Sequence, residues 1–242
     1  HTKMLKDAVN IPVFIGHNIF SPEDAEKMLA EGNADFVALG RSQLAEPAWA
    51  KKAKEGRASD IKPCINCLIG CIDRGMLSHT PIHCTVNPSL YRFECKPVEK
   101  AETRKQVAVV GAGPAGCEAA LTASKRGHQV TIYEKRCIGG AMIEASKPEN
   151  KANIKRLIHY YEDHIMHDPN ITLVKEEVEY ETLVHSGYDA VIIAVGGKTR
   201  ILNVPGIEKN SVIYASDYLN GSTAVTGNTV VVIGGGITGA ET

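Results

Sequence analysis

The stretch Gln106-Val-Ala-Val-Val-Gly-Ala-Gly-Pro-Ala-Gly116 joins an apolar strand to the start of a helix through a glycine-rich turn. Gly111, Gly113 and Gly116 permit a tight turn and a close approach of the backbone to a pyrophosphate, whose charge the helix N-terminus attracts. Glu134 ends the next strand, where its carboxylate can accept hydrogen bonds from ribose hydroxyls. Because strand, turn, helix and acid agree, this region predicts an α/β domain that binds a dinucleotide.

The same pattern recurs near the end of the chain, where Gly234, Gly236 and Gly239 follow the apolar segment 229–233. A second nucleotide site is therefore predicted. The residue that would separate NAD from NADP, and the helix that this turn opens, are expected beyond Thr242. We accordingly interpret the sequence as an internal piece of a longer protein.

Alternating strands and helices are predicted on both sides of a polar connector at 96–105. The C-terminal side carries apolar strands at 106–110, 130–133, 190–195 and 229–233. On the N-terminal side, strands at 11–15 and 34–39 flank a helix that begins at an N-cap, Ser21, with Asp24 at the reciprocal capping-box position. Apolar strands joined by a crossover helix indicate a parallel sheet, which is either doubly wound or a barrel.

Four of the seven cysteines crowd into one segment, as Cys64, Cys67, Cys71 and Cys84. Four thiolates at this density can hold a 4Fe-4S cluster or a tetrahedral zinc ion, since both take soft sulfur ligands. Beside nucleotide-linked redox domains an electron carrier makes better chemical sense than an inert metal, so iron and sulfur are predicted, with zinc as the alternative. Cys95, Cys117 and Cys137 do not join the spacing pattern and are interpreted as ordinary thiols.

Composition excludes several functions. Hydrophobic residues form 43% of the chain and charged residues 23%, as in ordinary globular proteins, and a net charge of -1 lacks the basic surplus of a nucleic-acid-binding protein. No apolar run reaches the roughly 18 residues of a membrane span. Crowded cysteines without a disulfide pattern are typical of a reducing compartment, so a cytoplasmic protein with neither nucleic-acid nor membrane partners is predicted.

Two segments between the glycine turns complete a recognisable arrangement, Ile138-Gly-Gly140 and Tyr188-Asp-Ala-Val-Ile-Ile-Ala-Val-Gly-Gly197. The whole resembles the flavoprotein disulfide reductases with two dinucleotide domains, in which FAD occupies the first turn and NAD(P)H the second. The resemblance implies FAD contacts from Gly111, Gly113, Gly116, Glu134 and Gly140. It implies NAD(P)H contacts from Gly234, Gly236 and Gly239.

Three further segments, 34–41, 63–67 and 84–88, resemble the junction between barrel and cluster in the iron-sulfur branch of the old yellow enzymes. Members of that branch are 2,4-dienoyl-CoA reductase, 2-enoate reductase and trimethylamine dehydrogenase. The resemblance implies the end of an FMN-binding (β/α)8 barrel at 1–60, a cluster segment and linker at 61–104, the first part of an FAD domain at 105–227 and the start of an NAD(P)-binding domain at 228–242.

By the same resemblance, Gly16, Gly40 and Arg41 would bind the FMN phosphate, and the four crowded cysteines would ligate the cluster. Many relatives have Arg or Gly in place of His17. This departure makes a side-chain contact with FMN doubtful at that position, and His17 is interpreted as structural or solvent-facing.

The resemblance also implies a relay. NAD(P)H gives a hydride to FAD, electrons pass singly through the cluster to FMN, and reduced FMN reduces the activated C=C bond of a small enoate or enoyl thioester. The catalytic acid is expected on earlier barrel strands, outside this sequence. Alternatives left open are an amine dehydrogenase of the same family, an electron-transfer subunit resembling the glutamate synthase small subunit, and a non-catalytic module with structural zinc. The sequence is compatible with a homo-oligomer.

Overall fold

The structure is a computed structural model that describes residues 2–90 and 98–242. The chain divides into two units, His1–Pro97 and Val98–Thr242. Each unit combines parallel strands with helices, so the predicted α/β class with parallel sheets is confirmed. Across the described residues, no helix is long and apolar enough to cross a membrane.

The first unit contains two short parallel strands, β1 (Phe14–Ile15) and β2 (Phe36–Val37), with Phe14 opposite Phe36. The α-helices of this unit are α1 (Thr2–Ala8), α2 (Pro22–Ala30), α3 (Arg41–Ala45) and α4 (Trp49–Lys54). A 3-10 turn at Ala58–Asp60 and a π-helical segment at Ile69–Leu77 follow.

The predicted start of α2 is confirmed. Ser21 Oγ accepts a hydrogen bond from the Asp24 backbone N at 3.1 Å, and Asp24 Oδ2 accepts one from the Ser21 N at 3.1 Å, which completes the capping box. The strands on either side are shorter than the predicted 11–15 and 34–39. Among the described residues, β1 and β2 pair only with each other. A sheet of two strands has few hydrogen bonds between strands, so the paired segments are short.

Buried apolar residues pack α2 and α4 together beneath the strand pair, namely Ile19, Ala25, Trp49 and Ile61. Beside them the Glu46 carboxylate is almost fully buried and accepts a hydrogen bond from Lys52 Nζ at 2.6 Å. Lys52 Nζ also donates to the Asp60 carbonyl oxygen at 2.7 Å. This ion pair therefore fixes α4 against the chain that leads into the cysteine segment.

A four-stranded parallel sheet organises the second unit, with strands β3 (Gln106–Val110), β4 (Gln129–Tyr133), β5 (Ile171–Val174) and β6 (Ala190–Ile193). Their spatial order is β5-β4-β3-β6. The helices are α5 (Pro114–Lys125), α6 (Met142–Ala145), α7 (Ala152–His167), α8 (Tyr180–His185), α9 (Ala215–Asn220) and α10 (Ile237–Glu241), with a 3-10 turn at Glu149–Lys151. The order reverses between β3 and β6, and doubly wound sheets bind ligands at the carboxyl ends of the strands at such a switch point.

The core of the second unit lies between this sheet and two of its helices. Val109 and Ile132, in the two central strands, are fully buried. Helix α7 contributes side chains at helical spacing, Leu157, Tyr161 and Ile165, each about 2% exposed. The apolar stripe therefore explains why α7 packs on α5 and the sheet edge formed by β5.

The prediction of a strand at 229–233 is wrong. This segment is apolar, but no strand among residues 98–242 pairs with it, and the Val231 side chain is 80% exposed. A strand exists through hydrogen bonds to a neighbour, and apolar composition alone does not supply them. The helix expected beyond Thr242 begins earlier, because α10 starts directly after its N-cap, Gly236.

The buried ion pair gives a first test. Lys52→Met should lower the free energy of unfolding of the first unit by about 3 kcal/mol, because Glu46 loses its buried cation. Trp49 is the only tryptophan of the chain and lies in this core, so its fluorescence in a urea titration reports on this unit. Lys51→Met is the control, since the exposed pair of Lys51 with Glu55, at 4.0 Å, should contribute less than about 0.5 kcal/mol. Equal urea midpoints for both variants would contradict the prediction.

Candidate functional site

Two close backbone approaches shape the glycine turn after β3. Gly111 has φ +100°, and a Cβ there would lie 2.5 Å from the carbonyl oxygen of Ala194, just past β6. A Cβ on Gly116 would lie 1.9 Å from the Gly111 carbonyl oxygen. Both positions therefore require glycine. Gly113 differs, because a Cβ there would meet only the Gly140 Cα, at 3.9 Å, and the protein leaves space above its backbone.

Glu134 braces this turn from the end of β4. Its Oε2 accepts a hydrogen bond from the Ala112 backbone N at 2.7 Å, and its Oε1 accepts one from the Arg136 N at 2.8 Å. The Gly139 N donates to the Ala112 carbonyl oxygen at 2.9 Å, and Gly140 has φ +53°. The structure thus brings together all the residues predicted for the first turn. Glu134 was predicted to bind a ribose, and the structure shows that it also accepts hydrogen bonds from the backbone. Each carboxylate oxygen keeps a further lone pair.

Helix α5, which follows the turn, carries a buried thiol, Cys117, and a carboxylate, Glu118, that is hydrogen-bonded to helix α7. Burial, with the negative charge of Glu118, raises the pKa of Cys117 to about 12, so this thiol stays protonated near neutral pH. The Tyr161 hydroxyl donates to Glu118 Oε1 at 2.8 Å, which joins α7 to α5. Cys137 is exposed, and Cys95 lies outside the described residues.

The second glycine turn repeats the geometry of the first. Gly234 has φ +113°, and a Cβ on Gly239 would lie 2.0 Å from the Gly234 carbonyl oxygen. Around Gly236 a Cβ would find open space. Lys151 Nζ and the Glu241 carboxylate form an ion pair that connects α10 to the 3-10 turn before α7. The three predicted glycines therefore form one turn at the start of a helix.

The four crowded cysteines line one small pocket in the first unit, together with Arg41 and His83: Cys64, Cys67, Cys71 and Cys84. All four are half-buried free thiols. The segment that carries Cys84 packs closely on Gly70: a Cβ on Gly70 would lie 2.3 Å from the His83 carbonyl oxygen. Within 2–90 and 98–242, no three His, Cys, Asp or Glu side chains are spaced to hold a single metal ion.

Arg41 reaches this pocket from the start of α3. Its Nη1 donates to Asn66 Oδ1, and its Nη2 donates to Asn18 Oδ1 at 3.1 Å. The Asn66 backbone N donates in turn to Cys64 Sγ at 3.4 Å. Burial raises the pKa of the Cys64 thiol, and this hydrogen bond and the Arg41 charge oppose that shift. Sequence reasoning missed Asn66, although an asparagine placed between two cysteines was a visible signal.

The other two residues predicted for a phosphate are glycines in the loops that follow β1 and β2. Gly16 directly follows β1, and a Cβ there would make ordinary contacts with Ala38 at 3.5 Å or more. Gly40 precedes α3, and a Cβ there would find nothing within 4 Å. His17 is exposed at φ +79°. Packing within the protein requires no glycine at either position, and only at Gly40 is the space beside the backbone open.

Two glycine turns at helix starts, one of them on a parallel sheet, together with a thiol-lined pocket, are typical of nucleotide-linked redox proteins. Residues 105–242 match the family described as pyridine nucleotide-disulphide oxidoreductase, and residues 1–60 match the NADH:flavin oxidoreductase / NADH oxidase family. The chain belongs to the pyridine nucleotide-disulphide oxidoreductase family. The two matches imply FMN, FAD and NAD(P)H, and with the relatives below they confirm the resemblance to old yellow enzyme-like iron-sulfur flavoproteins.

Similar proteins are much longer than this chain. NADH oxidase of Thermoanaerobacter brockii is 42% identical over 243 residues, which cover 98% of the chain and 37% of that protein. Cinnamate reductase of Clostridium sporogenes is 32% identical over 244 residues, with coverages of 100% and 36%. The solved 2-naphthoyl-CoA reductase complex matches with a TM-score of 0.86 and 32% identity, over 92% of this chain and 34% of that one.

The two kinds of glycine in the first turn should respond differently to one added methyl group. Gly116→Ala should destabilise the second unit by about 2 kcal/mol, because its Cβ would overlap the Gly111 carbonyl. Gly113→Ala should change stability by less than about 0.5 kcal/mol, since its φ of -71° suits alanine and the space is open. Urea titrations followed by far-ultraviolet circular dichroism, without added flavin, measure both. A Gly116→Ala midpoint equal to that of Gly113→Ala would refute the close approach.

Proposed function

We propose that this chain carries the electron-entry and cluster segments of an NAD(P)H-dependent flavin oxidoreductase that reduces an activated C=C bond. The observation that carries the proposal is the presence, in one chain, of a glycine turn at a sheet switch point and a pocket lined by four thiols. The bound groups supply hydride acceptance from NAD(P)H, single-electron transfer and hydride delivery to the substrate. The names of cinnamate reductase and 2-naphthoyl-CoA reductase support a 2-enoate or an enoyl thioester as substrate class.

The first turn is the FAD site of this proposal. The open space above Gly113 admits a pyrophosphate against the backbone, and the N-terminus of α5 favours its negative charge. Glu134 accepts hydrogen bonds from a ribose with the lone pairs that the backbone leaves unused. Gly116 and Gly140 keep the turn narrow, and the second turn, with Gly234, Gly236 and Gly239, takes NAD(P)H.

The thiol pocket is the 4Fe-4S site. Cys64, Cys67, Cys71 and Cys84 would supply the four sulfur ligands that such a cluster takes. Burial raises the pKa of Cys64, and the hydrogen bond from the Asn66 N to Cys64 Sγ and the charge of Arg41 partly offset that shift.

The FMN phosphate site lies at Gly16, Gly40 and Arg41. The space beside the Gly40 backbone is open, and the Arg41 guanidinium has five N–H donors, of which two are bonded to Asn18 and Asn66. Segments 1–60, 61–104, 105–227 and 228–242 correspond in this proposal to barrel end, cluster segment with linker, FAD domain and start of the NAD(P)-binding domain. The protein works in the cytoplasm, where thiols stay reduced.

Metal and flavin analysis of the full-length protein, purified without oxygen, tests the proposal. We expect about four irons and four acid-labile sulfides per chain, with one FMN and one FAD. Cys71→Ser should lose most of the iron, whereas Cys137→Ser, at an exposed cysteine outside the pocket, should keep it. Zinc in place of iron would contradict the cluster, and FAD without FMN would contradict the ene-reductase and favour an electron-transfer subunit.

Gly113→Ala separates flavin binding from folding. Its methyl group fits the protein but occupies the space needed by the pyrophosphate, so the affinity for FAD should fall by at least about tenfold. Fluorescence titration of FAD into the deflavinated variant and wild type measures the change. Gly227→Ala, in the same unit, is the control: Gly227 has no positive φ and a Cβ there would make ordinary contacts with Thr229 at 3.6 Å, so the affinity for FAD should stay unchanged. Equal FAD affinity in Gly113→Ala and wild type would exclude this turn as the FAD site.

A further inference from the structure

We propose that Arg41 is a positioning residue for the cluster: its guanidinium fixes, through Asn66, the loop that carries Cys64 and Cys67, and it keeps a positive charge beside the cluster. This inference rests on the cluster of the proposed function. It assigns to Arg41 a role that phosphate binding alone does not include, and it makes Asn66 part of the site.

The loop that carries the first two cysteines, residues 64–68, has a conformation that needs external support. Asn66 has φ +56° and Leu68 has φ +61°, so two side-chain-bearing residues adopt the left-handed region within three positions. The Arg41 guanidinium donates to the Asn66 side chain, and the Asn66 backbone N donates to Cys64 Sγ at 3.4 Å. We call the hydrogen bond between Arg41 and Asn66 the tether. It acts on the same residue, Asn66, whose backbone N is hydrogen-bonded to the Cys64 sulfur.

The other end of the tether is fixed in the core of the first unit. The residue after Arg41, Ser42, is 4% exposed and donates through Oγ to the Ile19 carbonyl oxygen at 2.5 Å. Arg41 Nη2 donates to Asn18 Oδ1 at 3.1 Å, in the turn after β1. The guanidinium thus joins the turn after β1, the start of α3 and the cysteine loop at one point.

The charge of Arg41 should matter as well as its hydrogen bonds. Arg41 is half-buried and lines the same pocket as the four cysteines, so water and salt screen it less than a surface charge. Reduction adds a negative charge to a cluster, and a neighbouring cation stabilises the reduced form. Lysine at this position would keep the charge but lose the planar fork that reaches two acceptors.

Four variants separate the tether from the charge. Asn66→Gly removes the acceptor while suiting a left-handed backbone, and Asn18→Gly makes the same change at the other acceptor, where φ is +55°. Arg41→Lys keeps the charge, and Arg41→Met removes it. Two measurements on the anaerobic full-length holoenzyme suffice: the rate of iron release to a ferrous chelator, and the cluster midpoint potential from an EPR-monitored redox titration.

We expect iron release to be about tenfold faster in Asn66→Gly and to stay within about twofold of wild type in Asn18→Gly. Arg41→Met should lower the equilibrium constant for cluster reduction about tenfold, which is about 59 mV for one electron, while Arg41→Lys stays near the wild-type potential. Wild-type iron release in Asn66→Gly, or equal potentials in Arg41→Met and Arg41→Lys, would overturn this inference alone. A wild type without iron would overturn the proposed function and this inference with it.

Discussion

The carbonyl of Ala194 lies so close to Gly111, and that of Gly111 so close to Gly116, that no side chain fits between them. These contacts join the end of β6, the end of β3 and the first turn of α5 at the point where the strand order reverses. The same arrangement leaves open space at Gly113. In the proposed function this space takes the pyrophosphate of FAD, so the fold and the proposed binding depend on the same few backbone atoms.

Local features of the second unit were predictable because neighbouring residues determine them. The first glycine turn, its strand and the acid at Glu134 follow one another along the chain. The contact with Ala194 was not predictable from spacing, since it exists only after β6 pairs with β3. The segment 229–233 shows the opposite error: its apolar residues suggested a strand, but a strand also needs a partner.

The first unit shows the same division between local and distant information. Cysteine spacing predicted four thiols in one place, and they line one pocket. The bond between Arg41 and Asn66 joins residues 25 positions apart and forms only when β1, β2 and α3 are packed. The buried pair of Glu46 and Lys52 was missed for a related reason, because charge patterns do not reveal which carboxylate becomes buried.

The electron path is tested most directly by mixing the full-length protein with NADH or NADPH without oxygen, with flavin absorbance and freeze-quench EPR as readouts. In the wild type we expect both flavins to bleach and a reduced-cluster signal to appear. In Cys71→Ser we expect rapid bleaching of FAD alone, because the proposed relay from FAD to FMN would lack its cluster. Bleaching of both flavins at the wild-type rate in Cys71→Ser would contradict a path through the four cysteines.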